Sequence, residues 1–287
     1  MKNIVIVGLG LIGGSIAAAL RGFDGYTIIG VDTDSETREY AKDHGICDIV
    51  TDDTKSAVAK GDIVFLCLHP EGIVQLIRSH RDDFMPHSLI TDVCGVKTAV
   101  MEAAQALPHT VDFIGSHPMA GKERGGIINS GKALFHGAHY IITPGEKSLP
   151  ENIALLEKIA KHIGCSDTVI TTADRHDEII AYTSQIMHIL AVSICDDPIM
   201  FDCLGFEGGS FRDCTRVAAL DPALWTELFS MNAKALAGTI ERLEASLKAY
   251  REALENGDKD MLFNKLKFSS DRKKKMNIER RRGDDFM

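Results

Sequence analysis

Short apolar runs alternate with polar, helix-patterned stretches through the first 165 residues. The runs "NIVIVG" (3–8), "YTIIGVD" (26–32), "DIVFLCL" (62–68), "SLITDV" (88–93), "VDFIG" (111–115) and "HYIITP" (139–144) are continuous rather than alternating. Strands covered on both faces read this way, so the pattern predicts an open, mostly parallel sheet with helices on either side, a doubly wound α/β fold. A last strand is expected at about 165–171, after which the period becomes helical. One helix is predicted from Asp174 to Ile194. Another starts at Asp221, which can cap free amides, with Pro222 in its first turn. It sets Trp225, Leu228, Phe229, Leu236, Ile240, Leu243 and Leu247 at three- to four-residue spacing before Asn256-Gly257 stops it. At about 1.5 Å per residue this helix would run roughly 50 Å, more than a compact domain needs, which points to a homodimer built on it.

Composition narrows the reading. A chain of 287 residues with 45% hydrophobic content and 8 prolines can bury a sizeable core, divides naturally into two domains, and is not disordered. The boundary falls between an α/β domain over 1–165 and an all-helical domain over 166–287. A net charge of -9 argues against a nucleic-acid partner or an anionic membrane surface, since both need a basic face. An anionic ligand must instead find cations gathered locally. Cysteines 47, 67, 94, 165, 195, 203 and 214 lack metal-ligand spacing and read as buried small hydrophobes in a reducing compartment, with no metal expected. The apolar run from Ile4 to Leu20 is interrupted by Gly8, Gly10, Gly13 and Gly14 and is shorter than the roughly 20 residues of a membrane span. A cytoplasmic protein is expected. The basic tail "DRKKKMNIERRRGDDFM" reads as a solvated helix end.

The stretch "IVIVGLGLIGGSIAAAL" places Gly8, Gly10 and Gly13 as GxGxxG between a strand and a helix, with Asp32 closing the next strand. In such a motif one glycine makes the tight turn, one lets backbone approach a pyrophosphate, and one lets helix and strand pack closely. The helix start at Leu11 and Ile12 then faces the phosphates. This is the dinucleotide-binding fingerprint of a Rossmann domain. Asp32 can accept from both ribose hydroxyls and would repel a 2'-phosphate, while Thr33 brings no compensating charge, so NAD is expected rather than NADP. Leu68 and Pro70 end a strand on the crevice side, where the nicotinamide ribose would lie. His69 between them reads as a loop residue.

Oxidising a carbinol with a nicotinamide also needs a base. Of eleven histidines, His44, His80, His87, His109 and His162 fall on polar faces or loops. His117 stands apart, at the C-terminal end of a strand where open α/β sheets bind ligands, with its direction fixed by Pro118 and the turn behind it. Spacing alone does not separate it from a hydrogen-bonded loop histidine.

The segments "VGLGLIGGSIA", "TDVCGVK" (91–97), "GSHPMAGKERGG" (115–126) and "GGSFRDCTRVAALDPALW" (208–225) together resemble the prephenate/arogenate dehydrogenase family. The likeness runs from Lys2 to about Lys265. It implies NAD-dependent oxidative decarboxylation of prephenate to 4-hydroxyphenylpyruvate in tyrosine biosynthesis, on a Rossmann domain followed by a helical dimerisation domain. The family's catalytic histidine matches His117, which would accept the proton of the ring hydroxyl as hydride leaves C4. Its substrate-binding arginine matches Arg216, and a guanidinium suits a dianionic substrate on chemical grounds as well. Arg212, Lys122 and Arg124 are secondary cations.

Two departures from the family pattern matter. Gly95 stands where the family often has a serine, which leaves Ser116 or a water to position the hydroxyl. Gln185 replaces the first histidine of a Ser-His-Leu-Pro-His segment, while His188 keeps the second and becomes a candidate substrate contact. Arogenate, which carries an amino group in place of a keto oxygen, is the alternative substrate. A 3-hydroxyacid dehydrogenase is a poorer fit, because its Lys-x-x-Asn signature is absent. A non-catalytic NAD sensor would need neither base nor clamp.

Overall fold

The computed structural model describes residues 2–284, with side-chain burial described through Glu279. The chain forms two compact units, Met1–Leu236 and Ala237–Met287.

In the first unit, strand β1 (Asn3–Val7) leads through α1 (Leu11–Leu20) to β2 (Thr27–Val31), α2 (Ser35–Asp43), β3 (Ile49–Thr51) and α3 (Thr54–Val58). Then come β4 (Ile63–Leu66), α4 (Pro70–His80), β5 (Leu89–Asp92), α5 (Thr98–Ala104) and β6 (Asp112–Pro118). The sheet is completed by β7 (His139–Pro144), α6 (Pro150–His162) and β8 (Asp167–Ile170). Its order is β3-β2-β1-β4-β5-β6-β7-β8, and every pair is parallel except β6 with β7. The short strand β3 has no apolar run to announce it, since Ile49 is exposed.

Successive residues of a strand face opposite sides, so the continuous apolar runs feed two cores. Ile4, Ile6, Ile28, Phe65, Ile114 and Tyr140 pack with Ile16 of α1 and Leu156 of α6. Val5, Val7, Val31, Val64, Leu66 and Ile90 pack on the other side with Ile73 and Ile77 of α4. The helices start where the sequence can satisfy their free amides. Asp34 accepts from Thr37 N at α2, and Asp53 from Ser56 N at α3. Pro70 and Pro150 open α4 and α6.

The helical stretch begins with α7 (Ala173–Ile180), a π turn over Ala181–Gln185, and α8 (Ile186–Cys195). Its buried residues are His176 and Asp177, then Ile180 and Ala181, then Gln185 and Ile186, and finally Ala191. Across the π turn the inward stripe steps by five residues, from Ile180 to Gln185 and from Ala181 to Ile186, where the turn before it steps by four. This is the one helix among the described residues long and apolar enough by length and composition to cross a membrane, a test that core helices also pass.

Helices α9 (Gly209–Thr215) and α10 (Pro222–Met231) follow. Asp221 caps α10 through Ala223 N and Leu224 N, as its sequence suggests. The single long helix expected from Asp221 to Asn256 is interrupted: α10 stops at Asn232 (φ -115°, ψ 25°) and α11 (Ala233–Glu255) begins after it. The break has a cause that periodicity does not carry. The buried Asn232 amide donates to Asp177 O (2.9 Å) and to Gln185 Oε1 (2.8 Å), so its backbone follows its side chain out of helical geometry. Leu228 of α10 joins the second core, and α7 to α10 fall within the first compact unit. In the second unit α11 continues and is followed by α12 (Lys259–Asp284).

Candidate active site

The glycine loop after β1 behaves as its three positions require. Gly8 adopts φ +92°, and a Cβ there would stand 2.4 Å from Cys67 O. A Cβ at Gly13 would stand 1.9 Å from Gly8 O, so helix and loop pack too closely for any side chain. Around Gly10 nothing lies within 4 Å, which leaves open space against the backbone at the start of α1. No side chain caps that helix, and the first-turn amides of Leu11, Ile12 and Gly13 have no partner within it. These features fit a pyrophosphate. Leu68 packs beside the loop, its Cδ2 2.8 Å from where a Gly8 Cβ would stand, and Pro70 is buried at the first turn of α4.

Asp32 holds the loop as well as facing the crevice. Its Oδ2 accepts from Leu9 N (2.8 Å) and its Oδ1 from Asp34 N (3.0 Å), leaving further acceptor capacity for a ribose. Arg38 lies against the end of β2, but its guanidinium is committed to the carbonyls of Asp32 and Thr33 (each 2.9 Å) and to Asp52 (3.2 Å).

His117 lies near the C-terminal end of β6, on the carboxyl edge of the same sheet. Strands β4 and β5 lie between β6 and β1, so the offset is about 14 Å at ordinary strand spacing. Its Nδ1 is 2.9 Å from His176 Nε2, and His176 Nδ1 is 2.8 Å from Asp177 Oδ1. Asp177 also accepts from the backbone amides of Lys97 and Thr98 (each 2.8 Å) at the start of α5. Burial works to raise the Asp177 pKa, but the bonds from His176, Thr98 and Lys97 outweigh it and hold the carboxyl below its ordinary value. Burial holds His117 well below the ordinary histidine range, helped by His176 and Lys97, with Asp177 opposing. No hydrogen-bond partner meets His117 Nε2 among the described residues. That edge of the ring faces Gly95, where a Cβ would be 4.0 Å from Nε2 and 3.9 Å from Cε1.

Beneath the imidazole is a fully buried ion pair, Asp92 with Lys97. Lys97 Nζ also donates to Ser116 O (2.8 Å), and Asp92 accepts from Cys94 N (2.9 Å) and Ser116 N (3.3 Å). The pair pins the Gly95 loop to the end of β6. Burial raises the Cys94 thiol to about 12, so it stays a protonated core group.

Ser116 is not available to a substrate, contrary to expectation. Its fully buried hydroxyl donates to Asp92 O (2.6 Å) and meets Thr91 Oγ1 (3.1 Å) and Tyr140 OH (2.8 Å), because alternation along β6 turns it away from the His117 face. Lys122 folds back onto Asn129 O (2.6 Å) within its own loop. Arg212 lies exposed on α9.

Arg216, in a short turn after α9, forms an ion pair with Glu123 of the loop behind His117. His188 is nearby. Its pKa is lowered by burial, against the bond from Nδ1 to Ser184 O (3.1 Å), and further by the charge of Arg216. Its ring stacks on Trp225 at 3.6 Å between centroids. Gln185, in place of the family histidine, is structural: its Nε2 donates to Leu228 O (3.1 Å) and its Oε1 accepts from Asn232.

His176, Asp177 and Glu123 carry contacts that the sequence reading did not assign. An adjacent His-Asp pair one turn into a helix was the available signal for the first two. The pairing of Glu123 with Arg216, 93 positions away, had none.

Comparison with known proteins agrees with this architecture. Family models described as prephenate dehydrogenase, nucleotide-binding domain and dimerization domain match residues 16–169 and 172–268. The chain is 32% identical over 276 residues to cyclohexadienyl dehydrogenase of Zymomonas mobilis, covering 93% of this chain and 94% of that one. It is 31% identical to prephenate dehydrogenase of Bacillus subtilis, covering 94% and 75%. The crystal structure of A. aeolicus prephenate dehydrogenase in complex with hydroxyphenyl propionate and NAD+ superposes with a TM-score of 0.81 at 27% identity, covering 95% of this chain and 97% of that one. The glycine loop built to take a dinucleotide, the imidazole at the same sheet edge and the helices that follow are therefore those of an NAD-dependent dehydrogenase, and the chain belongs to the prephenate dehydrogenase family.

Proposed function

We propose that the chain oxidises and decarboxylates prephenate to 4-hydroxyphenylpyruvate, a step of tyrosine biosynthesis. The observation that supports this reading most is the two-sided state of His117: Nδ1 tied to His176, Nε2 open beside Gly95. Bound NAD supplies the hydride acceptor. His117 Nε2 takes the proton of the ring hydroxyl. The bond from ring carbon to carboxylate then breaks, its electron pair completes the aromatic ring, and carbon dioxide leaves. Arg216 exchanges Glu123 for a substrate carboxylate, a bidentate contact that needs a guanidinium. His188, with Nδ1 engaged and Nε2 available, contacts the side chain of the substrate. The nucleotide-binding part is residues 1–165 and the helical part, which also dimerises, is 166–287. Exposed Leu254, Phe263, Leu266 and Phe268 support that role, as does the dimerization-domain match. The protein is cytoplasmic.

Appearance of NADH with prephenate is the direct test. His117→Asn should leave NAD affinity unchanged and lower turnover by roughly two to four orders of magnitude, the usual worth of a positioned base. Unchanged turnover would remove His117 from the reaction. Arogenate is the second reading, favoured by the likeness to a cyclohexadienyl dehydrogenase. We expect a higher kcat/KM with prephenate than with arogenate.

A further inference from the structure

The chain from His117 through His176 to Asp177 is polar, largely buried and directional. Asp177 Oδ1 accepts from Lys97 N and Oδ2 from Thr98 N, and the carboxyl is held ionised, so it can only accept. His176 Nδ1 must then carry the hydrogen of the 2.8 Å bond. Burial keeps His176 neutral against the pull of its bond to Asp177, so its Nε2 is bare and accepts across the 2.9 Å contact from His117 Nδ1. Each hydrogen position follows from the one before. No side chain at position 95 holds the other edge of the His117 ring, and its orientation rests on the Nδ1 side.

We infer that His176, backed by Asp177, is the positioning residue of the site: it fixes His117 with Nδ1 protonated and Nε2 bare, and it receives the Nδ1 hydrogen when Nε2 takes a proton from substrate. This rests on the reading of His117 as the base. Proton by proton, the substrate O–H bond breaks as N–H forms at His117 Nε2. The His117 Nδ1–H bond then breaks as N–H forms at His176 Nε2. One positive charge is left on His176, against the Asp177 carboxylate, and no electrons change hands.

The charged groups around the pair bear on where that charge rests. From α7, Asp177 favours it. From the end of β5, Asp92 favours it at His176, and Lys97, just before α5, opposes it at both rings. Leu228 on the α10 side is apolar. Moving the charge from His117 to His176 brings it into contact with Asp177, which is what makes the base strong enough while it is buried.

Two measurements test the inference. Side-chain nitrogen NMR of the NAD-bound protein without substrate should show His117 and His176 both as Nδ1–H tautomers, and a His117 protonated at Nε2 would overturn it. His176→Gln offers an oxygen to the Nδ1 hydrogen but cannot take the proton. Its kcat should fall roughly 10- to 100-fold, as when the partner that orients a histidine is lost elsewhere. The acid limb of its kcat/KM profile should move about one unit to lower pH, with the KM for NAD unchanged. A limb that stays in place refutes the transfer, however far kcat falls, because a merely structural loss lowers rate without moving it. Should His176→Gln not fold, Asp177→Asn decides by the same shift, since Asn still accepts one amide of α5. The two readings fail separately. Turnover retained in His117→Asn dismisses the base, whereas an inactive His117→Asn with an unmoved limb in His176→Gln dismisses only the relay.

Discussion

Two ion pairs involve the segments on either side of His117 in the chain, and they differ in almost every physical respect. Asp92 and Lys97 are both fully buried, five positions apart, and share further bonds with Cys94 N, Ser116 N and Ser116 O. Arg216 and Glu123 are 93 positions apart, with side chains 61% and 55% exposed, and no other hydrogen bond or ion pair among the described residues reinforces them. A buried charge that loses its partner has no water to turn to, while an exposed one is re-solvated at small cost. The first pair is therefore a fixed part of the scaffold. The second is a contact that an incoming carboxylate can replace.

Breaking each pair should expose that difference. Lys97→Met leaves the Asp92 carboxylate buried without its counter-charge, and should cost about 3–5 kcal/mol in urea unfolding, with the Gly95 loop loosened as a result. A loss within 1 kcal/mol would mean that the pair is not structural. Arg216→Ala should leave unfolding almost unchanged and raise the KM for prephenate by roughly 10- to 100-fold, the equivalent of about 1.4–2.7 kcal/mol for a lost charge-assisted contact. A normal KM would dismiss the carboxylate clamp.

Acid sharpens the contrast further. Burial depresses the pKa of both His117 and His176, with the bond His176 donates to Asp177 partly offsetting it at His176. Unfolding frees each to protonate near 6.5, so below that pH the unfolded chain binds more protons and stability falls as pH falls. The slope is at most about 1.4 kcal/mol per pH unit for each imidazole, and urea titrations at pH 7.5 and 5.5 would reveal it. Equal stability at the two values would argue that the rings are hydrated. Glu123→Gln should do least, changing stability by less than about 1 kcal/mol and, by releasing Arg216, lowering rather than raising the KM for prephenate.

Much of the scaffold was legible because it depends on local pattern. The continuous apolar strands announced the sheet, and Gly8, Gly10 and Gly13 stood where strand and helix demanded them. His117 was legible from its place at a strand end, but its partners were not. His176 and Asp177 lie 59 and 60 positions further along, and their contact depends on how a helix is laid across the sheet edge. The helix break at Asn232 was missed for a related reason, since the apolar periodicity runs through it from α10 into α11 and carries no sign of its bonds to Asp177 and Gln185. Ser116 was given to the substrate although the alternation of β6 already pointed it away from His117.

The stack of His188 on Trp225 has a practical consequence. Trp225 is the sole indole in the sequence, so emission excited on the red side of the tyrosine band originates at one ring, the one stacked on His188. An imidazole in face contact quenches an indole, most strongly when protonated. Fluorescence of the unlabelled enzyme is thus an optical gauge of who sits on the Trp225 ring, readable during a titration and without a coupled assay.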